Sequence, residues 1–340
     1  MIFLNKFRGC LLGGAAGDAL GYAVEFLDRQ TILHRYGNDG ITEYDLVDST
    51  ALISDDTQMT LFTATAITSC RTHKKDCNET ADYITASIET SYRDWLRTQN
   101  EHYPIPEPHD SWLLDVPELF HSRAPGITCL SALSASKCGT MDRPINESKG
   151  CGGIMRVAPI GLCFDDPECA AQIAARAAAL THGHELGYLP AAMFADIICR
   201  ISHSRKATLM EAVSDARTAI CRQFPNAAHM QELLTLYDRA VALSCSKIDD
   251  AEAIRSLGEG WVAEETLAIA VYCALKYAPD FDRALIAAVN HDGDSDSTGA
   301  VTGNLLGAYL GLEKIPQKYQ EKLELCEVIL RAADDLYFAI

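Results

Sequence analysis

Hydrophobic side chains recur at three- and four-residue spacing along most of this 340-residue chain. That spacing places them on one face of an α-helix, whereas a half-buried strand alternates at every second residue. Alternating β-branched segments bounded by hairpin turns are almost absent. Helices are therefore predicted over 57–70, 79–98, 166–181, 187–203, 207–221, 229–245, 263–277 and 316–335. The pattern predicts an all-α fold.

Two segments lack the helical period and are predicted to be irregular. The first, 28–53, contains the turn-forming run Gly37-Asn38-Asp39-Gly40. The second, 101–112, contains Pro104, Pro106 and Pro108, which oppose helix formation. Helical spacing resumes at once on both sides of each segment, so neither resembles an interdomain linker. We predict a single compact multi-helix domain spanning residues 1–340.

Glycine falls at every fourth residue in two of the helical segments. The two series are Gly9, Gly13, Gly17, Gly21 and Gly299, Gly303, Gly307, Gly311. A glycine inside a helix costs about 1 kcal/mol relative to alanine. Because four-residue spacing keeps these positions on one helix face, they let another backbone approach closely. Tight core packing is the expected role, and it would hold the second series rigidly.

The bulk composition limits the possible functions. With 48% hydrophobic residues the chain can bury a large core, and no apolar stretch has membrane-spanning length. The formal charge of −18 argues against a general nucleic-acid or anionic-membrane surface. The first eight residues lack the layout of a signal peptide. We therefore expect a soluble, cytoplasmic protein.

Thirteen cysteines are scattered along the chain without a CxxC pair. A disulfide framework or a thiolate zinc site would show close, repeated spacing. We expect most of them to be reduced and packed as small hydrophobes. Cys151 is the one to watch, because it lies in a glycine-rich loop, but no base stands near it in sequence to make it a nucleophile.

Two acidic clusters carry the chemistry. Ser54-Asp55-Asp56-Thr57 and Asp292-Gly293-Asp294-Ser295-Asp296-Ser297-Thr298 each open an apolar helical run. Free backbone N–H groups and the helix dipole favour negative charge there, so helix capping is the plain alternative. If the two helix starts face each other, their oxygens form a nest suited to Mg²⁺ or Mn²⁺.

The second cluster has the alternating aspartates of a calcium-binding loop, but it fails the rest of that pattern. Ser297 stands where the loop needs glycine, and Gly303 stands where it needs a bidentate glutamate. Three aspartates within five residues repel one another, so they call for a counter-charge. A metal ion is the expected one.

Five motifs, in order along the chain, resemble the ADP-ribosylglycohydrolase family. They are the stretch 13–21 (GGAAGDALG) with Glu25, the SDDT stretch at 54–57, the GGIMRVAP stretch at 152–159, Thr181-His182, and the GDSDS stretch at 293–297. The resemblance covers most of the chain. That family includes the bacterial dinitrogenase-reductase-activating glycohydrolase and the ADP-ribosyl-arginine hydrolases.

The resemblance implies two bound Mg²⁺ or Mn²⁺ ions and a set of residues that serve them and the substrate. The implied metal ligands are Ser54, Asp55, Asp56, Asp294, Asp296 and Ser297. The implied substrate-binding residues are Gly152, Gly153, Met155, Arg156 and His182, with Arg156 also a candidate for supporting the loop. The implied catalytic residues are Glu25, Asp55 and Asp296, with Glu25 as the candidate general acid or base.

The expected activity is metal-dependent removal of ADP-ribose from a modified protein side chain. We favour the N-glycosidic bond to arginine, because the closer resemblance is to the bacterial branch rather than to the serine-directed animal branch. The O-linked serine bond remains an alternative, since an alkoxide leaving group requires a proton donor such as Glu25. The rival class is a binding or immunity protein that captures ADP-ribose or an ADP-ribosylating toxin or transferase.

Overall fold

The computed structural model describes residues 2–71, 77–106 and 109–339. Its α-helices, numbered in chain order, are α1 Ile2–Tyr22, α2 Arg29–Tyr36, α3 Asp55–Arg71, α4 Cys77–Asn100, α5 Ile127–Ser134, α6 Ala158–Cys163, α7 Pro167–Ala179, α8 Glu185–Ser202, α9 Leu209–Gln223, α10 Met230–Ser244, α11 Asp250–Leu257, α12 Ala263–Lys276, α13 Phe281–Val289, α14 Ser295–Leu310 and α15 Cys326–Phe338. Short 3₁₀ turns lie between some of them. Within these described ranges there is no β-strand, only isolated bridges such as Gly150–Val262. The all-α prediction is confirmed.

Seven of the eight predicted helical segments match α3, α4, α7, α8, α9, α10 and α12 to within a few residues. The eighth prediction, a helix over 316–335, is wrong in its first half. A 3₁₀ turn occupies Gln317–Tyr319, and α15 begins only at Cys326. The intervening chain forms turns, with Lys322 at φ +64°. Ala51 fixes it in place, because it pairs with Lys322 and with Glu324 through backbone hydrogen bonds of 2.8 and 2.9 Å.

The prediction that 28–53 is irregular is wrong at its start, where α2 lies. The Asp28 carboxylate caps this helix by accepting the Thr31 N–H at 2.7 Å, and Gly37 ends it at φ +96°. Residues 37–53 are irregular as expected. The other irregular segment, 101–112, is non-helical until a 3₁₀ turn begins at Trp112, although its residues 107 and 108 lie outside the described ranges.

The two glycine series pack against each other and bring α1 and α14 into backbone contact. A Cβ atom on Gly13 would overlap the carbonyl oxygen of Gly303, and one on Gly17 would overlap that of Gly299. At the far end, Gly21 lies against the backbone of Ser295, the first residue of α14. The helix pair therefore sets the position of the second acidic cluster. Gly311 is not inside the helix but caps it at φ +83°.

Cysteines behave as the sequence predicts. All twelve whose side chains the structure describes are free thiols, and half of them are buried in the core. Among the described helices, none has both the length and the apolar character needed to cross a membrane.

Candidate functional site

The two acidic clusters, about 240 residues apart in sequence, meet at the N-termini of α3 and α14. The Ser297 hydroxyl donates a hydrogen bond of 2.9 Å to the Asp56 carboxylate, which joins the clusters directly. Asp294 caps α14 by accepting the Ser297 N–H at 3.2 Å. Helix capping and the meeting of the two clusters are therefore both observed, and residues of the same clusters take part in each.

Five carboxylates are buried together here: Glu25, Asp55, Asp56, Asp294 and Asp296. Oxygens of Glu25, Asp294 and Asp296 lie within 4.8 Å of one another. None of the ion pairs formed by the described residues includes any of the five. One oxygen of Glu25 and one of Asp294 are buried with no hydrogen-bond partner. So many unpaired negative charges away from water need a positive partner.

Burial raises the pKa of every carboxyl in this cluster, and repulsion from neighbouring carboxylates raises the pKa of all but Asp296 further. Burial raises the pKa of Glu25 to about 10, with further increases from the charges of Asp296 and Asp294. Burial and the charge of Asp296 also raise the pKa values of Asp55 and Asp56 well above the usual range. In the metal-free protein some of these groups must therefore be protonated at neutral pH.

Asp18 is a site residue that the sequence reasoning missed, although it stands in the quoted stretch 13–21. Its carboxylate accepts hydrogen bonds from the Ser54 N–H at 2.9 Å and from the Thr57 N–H at 3.1 Å. It also accepts one from the Thr57 hydroxyl. Asp18 thereby ties α1 to the start of α3 and orients the first cluster. The sequence could have indicated this role, because Asp18 is a charged residue within an apolar, glycine-rich helical stretch.

The metal-free protein is expected to lose stability as the pH rises from 5 to 8. Burial, followed by the charge of Asp296, raises the pKa of Asp18 from 3.8 to about 7. A carboxyl with a raised pKa stabilises the fold at pH values below its unfolded pKa, and this contribution disappears as the pH rises through the folded pKa. Melting temperatures measured in chelator should therefore fall across this range, and less steeply in Asp296→Asn. A melting temperature that is constant or rises would contradict the assignment.

The predicted substrate loop lies beside the acidic cluster as a 3₁₀ turn over Cys151–Gly153. His182 packs against it, since a Cβ on Gly152 would lie 2.9 Å from the imidazole ring. His182 is itself buried and shares a 2.8 Å hydrogen bond with the Thr181 hydroxyl. Burial, with the nearby Arg156 charge, lowers the pKa of His182 to about 3, so the ring is neutral. It supports the loop, and its contact with substrate stays a prediction.

Arg156 is fully buried, and its guanidinium contacts core residues rather than the carboxylates of the cluster. Its guanidinium lies 4.2 Å from the centre of the Tyr92 ring and donates to the Thr181 hydroxyl at 2.6 Å and to the Ala177 carbonyl at 3.2 Å. These contacts anchor the chain that follows the glycine loop in the core. They favour the supporting role among the two considered for Arg156, and Met155 beside it is also buried.

Cys151 is not built as a nucleophile. Burial raises its thiol pKa well above the usual range, and the charges of Asp294 and Asp56 raise it further. A thiol in that setting stays protonated and unreactive at neutral pH. The expectation that Cys151 is no nucleophile therefore agrees with its surroundings.

A second loop, residues 258–262, completes the edge of the site and is called the rim loop below. The Glu259 carbonyl accepts the Asp294 N–H at 2.8 Å. The Trp261 carbonyl accepts the Cys151 N–H at 3.1 Å. The rim loop thus joins the acidic cluster to the glycine loop, a relation with no signal in the sequence because it depends on the packing of α12.

Comparison with known proteins places these features in one family. The family model described as ADP-ribosylglycohydrolase matches residues 1–340. A human protein named ADP-ribosylhydrolase ARH3 is 27% identical over 230 residues, which are 58% of this chain and 62% of the human protein, so the match spans less than two thirds of that relative. A Rhodospirillum rubrum protein named ADP-ribosyl-[dinitrogen reductase] glycohydrolase is 25% identical over 94% of this chain and 91% of its own length.

A solved structure of an "ADP-ribosylglycohydrolase-related protein complex" has the same fold, with a TM-score of 0.65 at 22% identity over 99% of both chains. The resemblance and the enzyme class predicted from the motifs are confirmed. This chain belongs to the ADP-ribosylglycohydrolase family, whose members hydrolyse glycosidic bonds to ADP-ribose.

Proposed function

We propose that this protein is a divalent-metal-dependent hydrolase that releases ADP-ribose from modified arginine side chains of proteins. The observation that carries the proposal is the meeting of the two acidic clusters, with Ser297 donating to Asp56 at the point where α3 and α14 begin. Helix capping alone does not require two such clusters to share one buried space.

The donor set fits Mg²⁺ or Mn²⁺. These hard cations prefer carboxylate and hydroxyl oxygens, and the buried oxygen of Asp294 without a hydrogen-bond partner is available as a ligand. The residues that would hold two ions are the predicted ones: Ser54, Asp55, Asp56, Asp294, Asp296 and Ser297. When bound, the metal supplies positive charge that polarises oxygen groups of substrate and water.

The remaining residues bind and orient the substrate and manage its protons. Gly152 and Gly153 let the glycine loop pack closely against His182 and Gly187, because a Cβ at either position would collide with these neighbours. We assign binding of the diphosphate to this loop. Glu25 presents a buried oxygen without a hydrogen-bond partner beside Asp294 and Asp296, in position to hold or deliver a proton at the leaving group. Asp18 keeps Ser54 in place.

The charge of the chain supports the arginine linkage. A formal charge of −18 suits the approach of a cationic, guanidinium-bearing protein segment. Sequence identity by itself does not choose between linkages, since the human and bacterial relatives match at 27% and 25%.

Hydrolysis of serine-linked ADP-ribose is the second candidate, and Glu25 favours it. A buried carboxyl with a pKa raised to about 10 keeps its proton at neutral pH in the metal-free protein. An alkoxide leaving group needs such a donor more than a guanidine does. The same residue is therefore compatible with both bonds.

Release of ADP-ribose from arginine-linked, serine-linked and nucleic-acid-linked substrates, each with Mg²⁺, Mn²⁺ or chelator, tests the proposal. We expect turnover of the arginine-linked peptide with either metal and none with chelator. The measurement is kcat/KM from the rate of ADP-ribose release at equal metal concentration.

Three results would each contradict a different part of the proposal. A tenfold preference for the serine-linked peptide, about 1.4 kcal/mol in the barrier, would reject the arginine linkage. Full activity in chelator would reject the metal requirement. A stable stoichiometric complex with ADP-ribose or a transferase, without release of product, would identify a binding protein instead of an enzyme.

A further inference from the structure

Two exposed aromatic rings stack on each other at the edge of the site. Phe26 is 72% exposed and Trp261 is 39% exposed. Their ring centroids are 6.0 Å apart and their planes differ by 22°. They come from distant parts of the chain, and neither is buried in the core. Leaving two large apolar rings in water is unfavourable, and exposed apolar patches often mark binding sites.

Both rings belong to segments that lie next to the acidic cluster. Phe26 directly follows Glu25, whose carboxylate lies with those of Asp294 and Asp296. On the other side, Gly260 of the rim loop lies close to Asp294, because a Cβ there would be 3.3 Å from the Asp294 carbonyl oxygen. The pair therefore bridges the two sides of the acidic cluster on its solvent side.

The rim loop holds Trp261 in that position. The Trp261 carbonyl accepts the Cys151 N–H from the glycine loop, and the next residue, Val262, forms a bridge with Gly150. Trp261 also walls an open cavity of about 460 Å³ outside the acidic cluster, with Arg255 and Ile254 among the lining residues. There is consequently room beside the indole for a polypeptide segment.

We propose that Phe26 and Trp261 bind the planar guanidinium of the modified arginine, and so form the subsite for the protein side of the substrate. This inference rests on the proposed arginine linkage and deepens it. A guanidinium is flat and weakly hydrated and stacks on aromatic faces, with tryptophan the strongest partner.

The geometry also explains why the pair discriminates between linkages. A serine side chain has no planar or cationic group to stack, so it gains little from the two rings. The ADP-ribose part of the substrate is assigned to the glycine loop at Cys151–Gly153, which the Trp261 main chain contacts through its carbonyl. Loss of the rings should therefore weaken binding of the arginine-linked substrate and spare that of ADP-ribose.

Steady-state kinetics of Phe26→Ala, Trp261→Ala and Trp261→Phe, with an arginine-linked and a serine-linked ADP-ribosyl peptide, tests this. We expect Trp261→Ala to raise KM for the arginine-linked peptide about tenfold or more, with kcat within about twofold, and Phe26→Ala to have a smaller effect in the same direction. Trp261→Phe should recover most of the binding, because it keeps an aromatic face. The inhibition constant of free ADP-ribose should be unchanged in all three.

Phe338→Ala is the matched control. Phe338 is 73% exposed and also contacts another ring, that of Tyr337. It ends α15 where Tyr337 packs on Phe7, near the start of α1 and away from Glu25. Its removal should leave both KM values unchanged.

The subsite is rejected if Trp261→Ala leaves KM for the arginine-linked peptide unchanged. It is also rejected if the inhibition constant of ADP-ribose rises in parallel, which would assign the rings to the nucleotide side. An equal loss on the serine-linked peptide would make the pair a general cover without specificity. If the unmodified enzyme cleaves only the serine-linked peptide, the arginine linkage itself fails and the subsite with it. That failure is visible before any variant is made.

Discussion

Asp56→Asn and Asp296→Asn are each expected to abolish hydrolysis and to raise the melting temperature of the metal-free protein. Asp56 accepts the Ser297 hydroxyl, and Asp296 contributes negative charge that raises the pKa values of the surrounding carboxyls. Removing one charge relieves that repulsion, while asparagine keeps the volume of the side chain. The loss in kcat/KM should be about 10³-fold or more, about 4 kcal/mol. Activity with saturating Mg²⁺ or Mn²⁺ and melting in chelator measure the two effects.

Asp292→Asn is the control for these variants. Asp292 lies two residues before the proposed ligand Asp294 and is half-buried. Its carboxylate accepts the Arg29 N–H at 2.7 Å, which an asparagine oxygen can also do. Its activity should remain near that of the unmodified protein. Near-normal activity in both Asp56→Asn and Asp296→Asn with metal present, or an equal loss in Asp292→Asn, would remove the two aspartates from the proposed site.

Gly303→Ala should destabilise the fold by about 3 kcal/mol, the upper end of the usual range for overpacking. A Cβ at this position would overlap the carbonyl oxygen of Gly13 on α1, and neither backbone can move without displacing its helix. Alanine is the better helix former by about 1 kcal/mol, which offsets only part of the loss. The free energy of unfolding from urea titration measures the effect.

Gly126→Ala is the matched glycine control. It precedes α5 at φ −60°, and a Cβ there would meet nothing within 4 Å. The substitution should change the free energy of unfolding by less than about 0.5 kcal/mol. If Gly303→Ala were as stable as Gly126→Ala, the close contact between α1 and α14 would be wrong. Activity should follow stability, because α14 begins directly after the proposed ligand Asp294.

Most helices could be predicted because each one buries an apolar face that repeats along the sequence. The two wrong predictions fall where the apolar period and the observed structure disagree. Helix α2 is short and polar, and only Ile32 of it is buried, so no long period marks it. Over 316–325 the apolar spacing looks helical, but the chain forms a 3₁₀ turn and further turns there, held by backbone hydrogen bonds to Ala51.

The candidate site divides in the same way. Carboxylates and hydroxyls at two helix starts are visible in the sequence, since oxygen ligands and capping residues leave a local pattern. Asp18 was visible only as a polar residue inside an apolar helix, and its contacts with Ser54 and Thr57 were not. The contacts of Arg156 with Tyr92 and Thr181 could likewise be seen only in the packed core.

By itself, the sequence determined the all-α class, the family and the two acidic clusters, because periodicity, capping and motif spacing depend on neighbours along the chain. Only the tertiary structure decided that the clusters meet, that the glycine series of α1 and α14 pack on each other, and that Phe26 stacks on Trp261. Each of these contacts joins residues more than 200 positions apart. Its energy comes from burial and close packing between whole helices, which no local pattern of residues encodes.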